Sequence, residues 1–401
     1  MILAQNPQPQ LSGNKLYLFV ILGLCLAACS PKIQPQVKPS APEVKEKKEP
    51  VPLHKIEEAT ISLLVPFNLN DFDPEKSSMA INFYQGVKLG IDSATASGMN
   101  FKLRVYDTQD DQKKLSALLD NSAVAGSDLV IGPVFPDGVK YMTPYAIKNN
   151  MPFVSPLAAS KPEEFHNPHL ISVVNNIDLH AAKIGNYIAA KYLPENTVVV
   201  LINPKKTEDE ILGAPLRDYF INGKGRKFTF QEYASVYSLE TKLNKGKKYV
   251  VLISSSERGF VVATLDKLVK MKKTGLAVDL FGHPNWIKQN YSTDKLQALN
   301  TFVTSSYKVD YKSPAVVRFV RKYRKMFGFE PDEYSFKGFD TGFYFAKLLS
   351  RYGADFTQYL TKEPYKGLHN SFSFSYDAKN GYINTSLMLL KYRDYALYIV
   401  Q

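Results

Sequence analysis

The chain has very few cysteine and tryptophan residues and lacks the common catalytic motifs. Its 401 residues include two cysteines, Cys25 and Cys29, and one tryptophan. Because both cysteines lie near the amino terminus, the remainder can form no disulfide and must be stabilised by a buried apolar core. The sequence contains no G-x-S-x-G turn, H-E-x-x-H pair or P-loop. We therefore expect no enzymatic activity, no cofactor and no metal.

Long apolar runs are also scarce, and one of them is informative. Residues 16–28 are apolar, follow Lys15, and are too short to cross a hydrocarbon core of about 30 Å as a helix. The run ends in Leu26-Ala27-Ala28-Cys29, which resembles the lipobox of bacterial lipoproteins. This resemblance implies that residues 1–28 are a signal peptide and that Cys29 is lipidated. An ordinary signal peptide with a chance cysteine, or an uncleaved anchor, is the alternative.

The residue after Cys29 bears on where such a lipoprotein would reside. Ser30 stands there, with no aspartate to favour retention in an inner membrane. We expect a lipid anchor in the cell envelope, on the periplasmic face of an outer membrane. The formal net charge of +12 would suit a nucleic acid, but an exported protein meets anionic lipids and cell wall instead. We therefore expect a membrane partner through Cys29 and no nucleic-acid partner.

Residues 29–58 form a predicted tether. They contain six prolines, the charged run Lys45-Glu46-Lys47-Lys48-Glu49 and few bulky apolar residues. Such a composition cannot bury enough apolar surface to offset the entropy of ordering, and proline keeps the chain extended. We expect a disordered spacer between the membrane and a folded body.

From Ala59 onward, short apolar strands alternate with segments of helical spacing. This alternation predicts doubly wound parallel sheets with right-handed crossovers. The pattern runs through four strands and then starts again, which predicts two α/β lobes. The predicted strands are 61–65, 101–105, 129–132 and 152–154, followed by 198–202, 228–233, 249–253 and 278–281.

The carboxyl-terminal third adds two helices and a strand pair. Val316, Val320, Tyr323 and Phe327 form one helical stripe, and residues 339–349 form a second helix that opens with Phe339-Asp340. Residues 374–381 read as a strand, a turn and the start of another strand. Together with Gly86 and Gly90 in the first helix, this order resembles the type I periplasmic binding proteins, the fold of the leucine, isoleucine and valine receptors of ABC importers. The resemblance covers about residues 59–401.

The resemblance implies a fold and a ligand site. The fold is two doubly wound parallel-sheet lobes joined by a hinge, with lobe 1 formed by 59–176 and 302–367 and lobe 2 by 177–301 and 368–401. In that family the ligand lies between the lobes, at the carboxyl ends of strands. Carried onto this sequence, the site residues are Phe67, Asn68, Phe135, Ser155, Leu157, Ala158 and Ser160 in lobe 1, and Asn203, Ser254, Ser255, His283 and Trp286 in lobe 2.

An amino-acid ligand is disfavoured by two departures from the family pattern. Pro136 and Asp137 stand about where the receptors grip an α-carboxylate, yet proline has no N–H and aspartate repels the ligand's charge. No carboxylate lies in residues 282–285, where the receptors bind the ammonium group. Phe135, Leu157 and Trp286 favour an apolar or sugar-stacking pocket instead.

Two functions follow from these expectations. The first is a non-catalytic envelope lipoprotein that binds a small ligand between its lobes, as the substrate-binding component of an ABC importer read by a permease. The alternative is a ligand-free scaffold or regulator of cell-envelope (peptidoglycan) synthesis, similar to the lipoprotein activators of penicillin-binding proteins.

Overall fold

The computed structural model describes residues 57–69, 73–95, 98–243 and 246–400. The predicted signal peptide, Cys29 and all but the last two residues of the tether lie outside these described residues. Among the described helices, none combines the length and the apolar character needed to cross a bilayer.

Sixteen strands are assigned within the described residues. They are β1 Glu58–Val65, β2 Asn100–Asp107, β3 Leu129–Ile131, β4 Phe153–Ser155, β5 Leu170–Ser172, β6 Thr197–Ile202, β7 Thr229–Tyr233, β8 Lys248–Ile253, β9 Ala277–Phe281, β10 Thr301–Ser305, β11 Tyr365–Lys366, β12 Ser371–Phe372, β13 Phe374–Asp377, β14 Gly381–Asn384, β15 Met388–Arg393 and β16 Ala396–Ile399.

Ten α-helices connect these strands in the described part of the chain. They are α1 Pro74–Ala94, α2 Gln112–Asp120, α3 Pro136–Lys148, α4 Ile177–Lys191, α5 Thr207–Ile221, α6 Val236–Glu240, α7 Arg258–Lys273, α8 Thr293–Ala298, α9 Pro314–Phe327 and α10 Glu333–Tyr352.

The strands form two seven-stranded sheets, in the orders β13-β14-β5-β4-β3-β1-β2 and β16-β15-β10-β9-β8-β6-β7. The first is parallel except for the β13–β14 hairpin, and the second except at β15 and β16. Apolar clusters cover both faces of each sheet, as crossover helices require. The predicted fold of two mostly parallel, doubly wound lobes is confirmed.

The chain passes between the sheets three times, at residues 173–176, 306–313 and 385–387. The predicted lobe boundaries at 302 and 368 differ from this pairing. β10 lies between β9 and β15 in the second sheet, so lobe 2 extends to residue 305. The β13–β14 hairpin adds to β5, and Phe372 and Phe374 pack on Tyr344, so lobe 1 extends to residue 384. The sheet that such a strand joins depends on its neighbours in space, and the sequence pattern of a strand does not reveal them.

Helices α1 and α10 pack with their backbones in direct contact. A Cβ atom on Gly86 would lie 2.1 Å from the carbonyl oxygen of Ser335, and one on Gly342 would lie 2.5 Å from that of Val87. Gly90 and Gly338 are equally close to the facing helix. The spacing of four residues in each helix places these glycines on one face. Because the backbone of the other helix lies against that face, a side chain at these positions would clash with it.

Candidate functional site

A cleft of about 600 Å³ lies between the two sheets, where the carboxyl ends of strands meet the crossing segments. Open α/β sheets generally bind ligands at this edge. Both lobes and the crossing segments contribute polar side chains to the lining. Examples are Ser160 and Lys161 after β4, Ser256 and His283 after β8 and β9, and Asn175 and Tyr307 in the crossing segments.

The floor of the cleft is built from crossing segments bonded to one another. Asn175 Nδ2 donates to the carbonyl oxygen of Asn384 at 2.7 Å, and Asn384 Nδ2 donates to that of Val173 at 2.9 Å. Tyr307 pairs with Asn370 as an isolated antiparallel bridge. Two of the three passages between the lobes are thus bonded to neighbouring residues of lobe 1, and these bonds hold Asn175 and Tyr307 in place.

Asp340 holds the segment that carries Asn370. Its buried carboxylate accepts backbone N–H groups of Leu368, His369 and Asn370, each at 2.8 Å, and the hydroxyl of Tyr365 at 3.2 Å. Burial raises the pKa of Asp340 to about 6, although these four donors favour the ionised form. The side chain from the middle of α10 therefore positions part of the cleft wall.

Two lysines and one glutamate meet at the floor. Lys288 of lobe 2 lies 3.0 Å from a carboxylate oxygen of Glu333 on α10, and Lys337 lies 2.5 Å from the same carboxylate. Both ammonium groups also lie over the ring of Tyr307, at 5.6 and 5.7 Å from its centroid. Burial lowers the pKa of Lys337, and the attraction of Glu333 offsets this only in part. One carboxylate is thus shared by two cations drawn from different lobes.

A second ion pair joins the lobes at the cleft. Lys161, in the loop after β4, lies 2.6 Å from Asp178 in the first turn of α4. Both side chains are about half exposed, so this pair contributes about 1 kcal/mol or less.

Two histidines face the cleft in neutral form. Burial lowers the pKa of His180 and of His283 to about 4. Nδ1 of His283 accepts the backbone N–H of Asn285 at 3.0 Å, so its proton resides on Nε2, which is a donor. His180 Nδ1 lies 2.8 Å from the hydroxyl of Thr304.

The predicted site residues occupy four kinds of position. Ser160 and His283 line the cleft. Phe67, Leu157 and Phe135 pack against the core of lobe 1, and Ala158 is buried on its other face. Asn68 and Ser155 are buried at the ends of β1 and β4, each with a side-chain oxygen that has no partner among the described residues.

The remaining lobe 2 predictions are buried below the cleft surface. Asn203 donates to Glu210 and Glu232, and Ser254 donates to Asn203. Trp286 is 0% exposed, and its indole N–H donates to the carbonyl oxygen of Ser255 at 3.0 Å. A Cβ atom on Gly282 would lie 2.1 Å from the Trp286 ring, which therefore fills space that only glycine leaves free. The indole offers no face to a ligand in this arrangement.

Several cleft residues were not predicted from the sequence. They come from two crossing segments, a short 3₁₀ turn and the start of α10: Asn175, Tyr307, Lys288, Glu333 and Lys337. Their separation in the chain is large, and no local spacing marks them as a group. Within the described residues, no cluster of three or more His, Cys, Asp or Glu side chains could hold a metal.

Comparisons with known proteins found similar structures but no similar sequence. No protein-family model and no curated protein matches the sequence. Among solved structures, the chain is similar to a putative branched-chain amino acid ABC transporter protein from Rhodospirillum rubrum, with a TM-score of 0.65 and 13% identity over 86% of this chain and 100% of that one. It is also similar to an ABC transporter substrate-binding protein from Desulfitobacterium hafniense in complex with leucine, with a TM-score of 0.53 and 19% identity over 86% and 100% of the two chains.

A third similar structure has a different role. The C-domain of LpoA from Haemophilus influenzae, a regulator of PBP1A, matches with a TM-score of 0.56 and 17% identity over 86% of this chain and 100% of that domain. These structures establish the fold as that of the type I periplasmic binding proteins. Substrate-binding proteins and a regulator thus share the architecture of this chain.

Proposed function

We propose that the protein binds a small ligand in the cleft between its lobes, without catalysis, as the substrate-binding component of an importer. The observation that carries this proposal is the cleft itself, about 600 Å³ in volume and lined by residues that follow strands of both lobes. Small ligands generally bind in pockets of this kind at the carboxyl edge of open α/β sheets. The lining combines apolar side chains with hydrogen-bonding ones such as Ser160, Ser256 and His283.

Hinge motion would couple this binding to a partner. A ligand that contacts both lobes stabilises the arrangement in which they are closed on it. The short crossing segments would act as the hinge, and a permease would recognise the closed form. The lipid anchor at Cys29 and the tether would keep the protein on the periplasmic face of an outer membrane. Substitution Cys29→Ser should release it from the membrane fraction, and retention there would contradict the anchor.

A scaffold or regulator of envelope synthesis is the second candidate. The similarity to the LpoA C-domain favours it, and so do the ion pairs Lys161–Asp178 and Lys288–Glu333, which already join the lobes. In this alternative the lobes act as one rigid surface that contacts a partner protein.

Thermal unfolding of the full chain in detergent tests the proposal. Amino acids, sugars, nucleosides and muropeptides are screened, and a ligand at a hundredfold excess over its Kd should add about 2.7 kcal/mol to stability. The variant Ser160→Ala, in the cleft lining, should reduce the shift, whereas Asn186→Ala on the exposed face of α4 should not. No shift from any compound, together with a co-purifying envelope protein, would overturn the ligand-binding proposal in favour of the scaffold.

A further inference from the structure

The charge balance at the cleft floor specifies what kind of ligand fits. Lys288 and Lys337 share the single carboxylate of Glu333. The nearby carboxylate of Asp332 attracts Lys337 as well, but it accepts hydrogen bonds from Asn82 and from the backbone of Ser335, so the two ammonium groups contact one carboxylate between them. An ammonium group has three donors, and the contacts described for Lys337 and Lys288 with Glu333 leave donors on both. A second oxyanion beside Glu333 would be attracted by both lysines, whereas a ligand ammonium group would be repelled.

Carboxylates elsewhere in the cleft limit a ligand to one negatively charged group. Glu164 and Glu208 also line the cleft, and their carboxylates would repel a second anionic group. Lys161 lines it too, but its charge is paired with Asp178.

The rest of the cleft lining is partly apolar, as at Ile177 and Ile211, and partly hydrogen-bonding. His283 Nε2 offers a donor, and Ser160 and Ser256 offer hydroxyl groups that can donate and accept. Such mixed donors and acceptors match the hydroxyl groups of a carbohydrate.

We infer that the cleft binds a sugar acid, a polyhydroxylated ligand whose one carboxylate lies against Lys288 and Lys337. The inference rests on the proposed ligand-binding function and names the ligand class. Because Lys288 belongs to lobe 2 and Lys337 to lobe 1, the carboxylate would bridge the lobes. Binding of this group would therefore favour closure, and it would also relieve the mutual repulsion of the two ammonium groups.

Glucuronate and glucose form the decisive pair of probes, because they share a ring and differ in the carboxylate. Calorimetric titration of the full chain should give a Kd for glucuronate at least tenfold lower than for glucose. Leucine and inorganic phosphate serve as probes for a zwitterion and for an oxyanion without hydroxyl groups, and both should bind at least tenfold more weakly than glucuronate.

Substitutions locate the carboxylate. Lys337→Met should weaken glucuronate binding about tenfold and leave glucose binding unchanged, and Lys337→Arg should restore most of the preference. Lys288→Met should act in the same way from the other lobe. Lys347→Met, on the exposed face of α10, is the matched control and should have no effect.

The outcomes distinguish the sugar-acid assignment from the proposed ligand-binding function. Equal binding of glucose and glucuronate, or tightest binding of leucine or phosphate, would overturn the sugar-acid assignment while leaving ligand binding in place. Failure of all four probes would overturn the assignment too, and the broader thermal screen would then decide the fate of the binding proposal.

Discussion

Asp340 joins the middle of α10 to the backbone of residues 368–370, and one side chain thereby supports part of the cleft. Its two oxygens accept four donors, so each oxygen has two partners. An amide at this position would turn one oxygen into a donor and leave two buried donors without an acceptor. Hydrogen bonds to a charged acceptor contribute about 1.5–3 kcal/mol each.

The substitution Asp340→Asn should therefore lower the free energy of unfolding by about 2–4 kcal/mol. Urea titration followed by circular dichroism measures the change. Asp92→Asn is the control, because Asp92 forms an exposed pair with Lys88 and should cost less than about 1 kcal/mol. Equal stability of the two variants would contradict the role of Asp340.

Trp286 provides a local probe of lobe 2, because it is the one tryptophan of the chain. Gly282→Ala would place a methyl group against the indole ring and should destabilise the protein by about 1–3 kcal/mol through overpacking. Displacement of the ring towards water should shift its fluorescence emission to longer wavelength. An unchanged emission spectrum in the folded variant would contradict the close contact between Gly282 and the indole.

Single residues also mark how far the sequence could be interpreted. Ser160 and His283 were predicted in the cleft because they follow strands, and the end of an apolar run predicts where a strand ends. Trp286 also follows a strand, but the pattern does not reveal that its ring turns inwards over Gly282. Lys337 was not predicted, since a lysine near the start of a helix usually faces solvent and only the approach of Lys288 distinguishes it.

At the scale of elements, helices α1 and α10 of lobe 1 pack backbone against backbone. Gly90 lies opposite backbone atoms of Phe339 and Phe343, at 2.5 and 2.6 Å from where a Cβ would be. Backbone cannot move aside as a flexible side chain can. The two helices must therefore separate if any of these glycines gains a methyl group.

Gly90→Ala should cost about 1–3 kcal/mol, even though alanine favours a helix. The free energy of unfolding from a denaturant titration is the measurement. Gly259→Ala in the first turn of α7 is the matched control, because the nearest atom to its Cβ would belong to a side chain, the carboxylate of Glu257 at 3.1 Å, and it should cost less than about 1 kcal/mol. Gly90→Ala should also leave the Trp286 emission unchanged, since that ring lies in the other lobe.

The elements themselves were largely predictable, and their assignment to lobes was not. Buried strands such as β6 and β8 are continuous apolar runs, and the helices follow from regular stripes. β10 and the β13–β14 hairpin were placed in the wrong lobe, because a chain that crosses between sheets carries no signal of the sheet it will join. The α10 helix begins at Glu333, six residues before the predicted Phe339, since Asp332 caps it by accepting the backbone N–H of Ser335.

For the whole molecule, buried titratable groups determine how stability depends on pH. Burial lowers the pKa of His180, His283 and His369 to about 4, below the value near 6.5 of an unfolded chain. The unfolded chain therefore binds more protons between pH 6.5 and 4, and stability is lost as the pH falls through this window. Asp340 acts in the opposite sense, since its pKa of about 6 lies above the unfolded value.

Between pH 7 and 5, each histidine should lower the free energy of unfolding by about 2 kcal/mol, and Asp340 should raise it by about 1 kcal/mol. The net loss is about 4–5 kcal/mol, measurable by urea unfolding at the two pH values. His180→Gln should reduce this loss by about 2 kcal/mol, whereas Asn186→Ala, at an exposed position of the same helix, should leave it unchanged. Stability that stays level or increases towards pH 5 would contradict the neutral state of the three histidines.

The three passages between the sheets also set the order in which the molecule can be completed. Lobe 1 receives its first five strands early, but α10 and the β13–β14 hairpin reach it only after the first five strands of lobe 2 have been made. Hydrogen bonds such as that from Tyr323 to Gln85 close loops of more than two hundred residues. Neither lobe is a continuous stretch of sequence, so no single segment of the chain contains one complete lobe without part of the other. A chain that stops before residue 384 leaves both lobes unfinished at once.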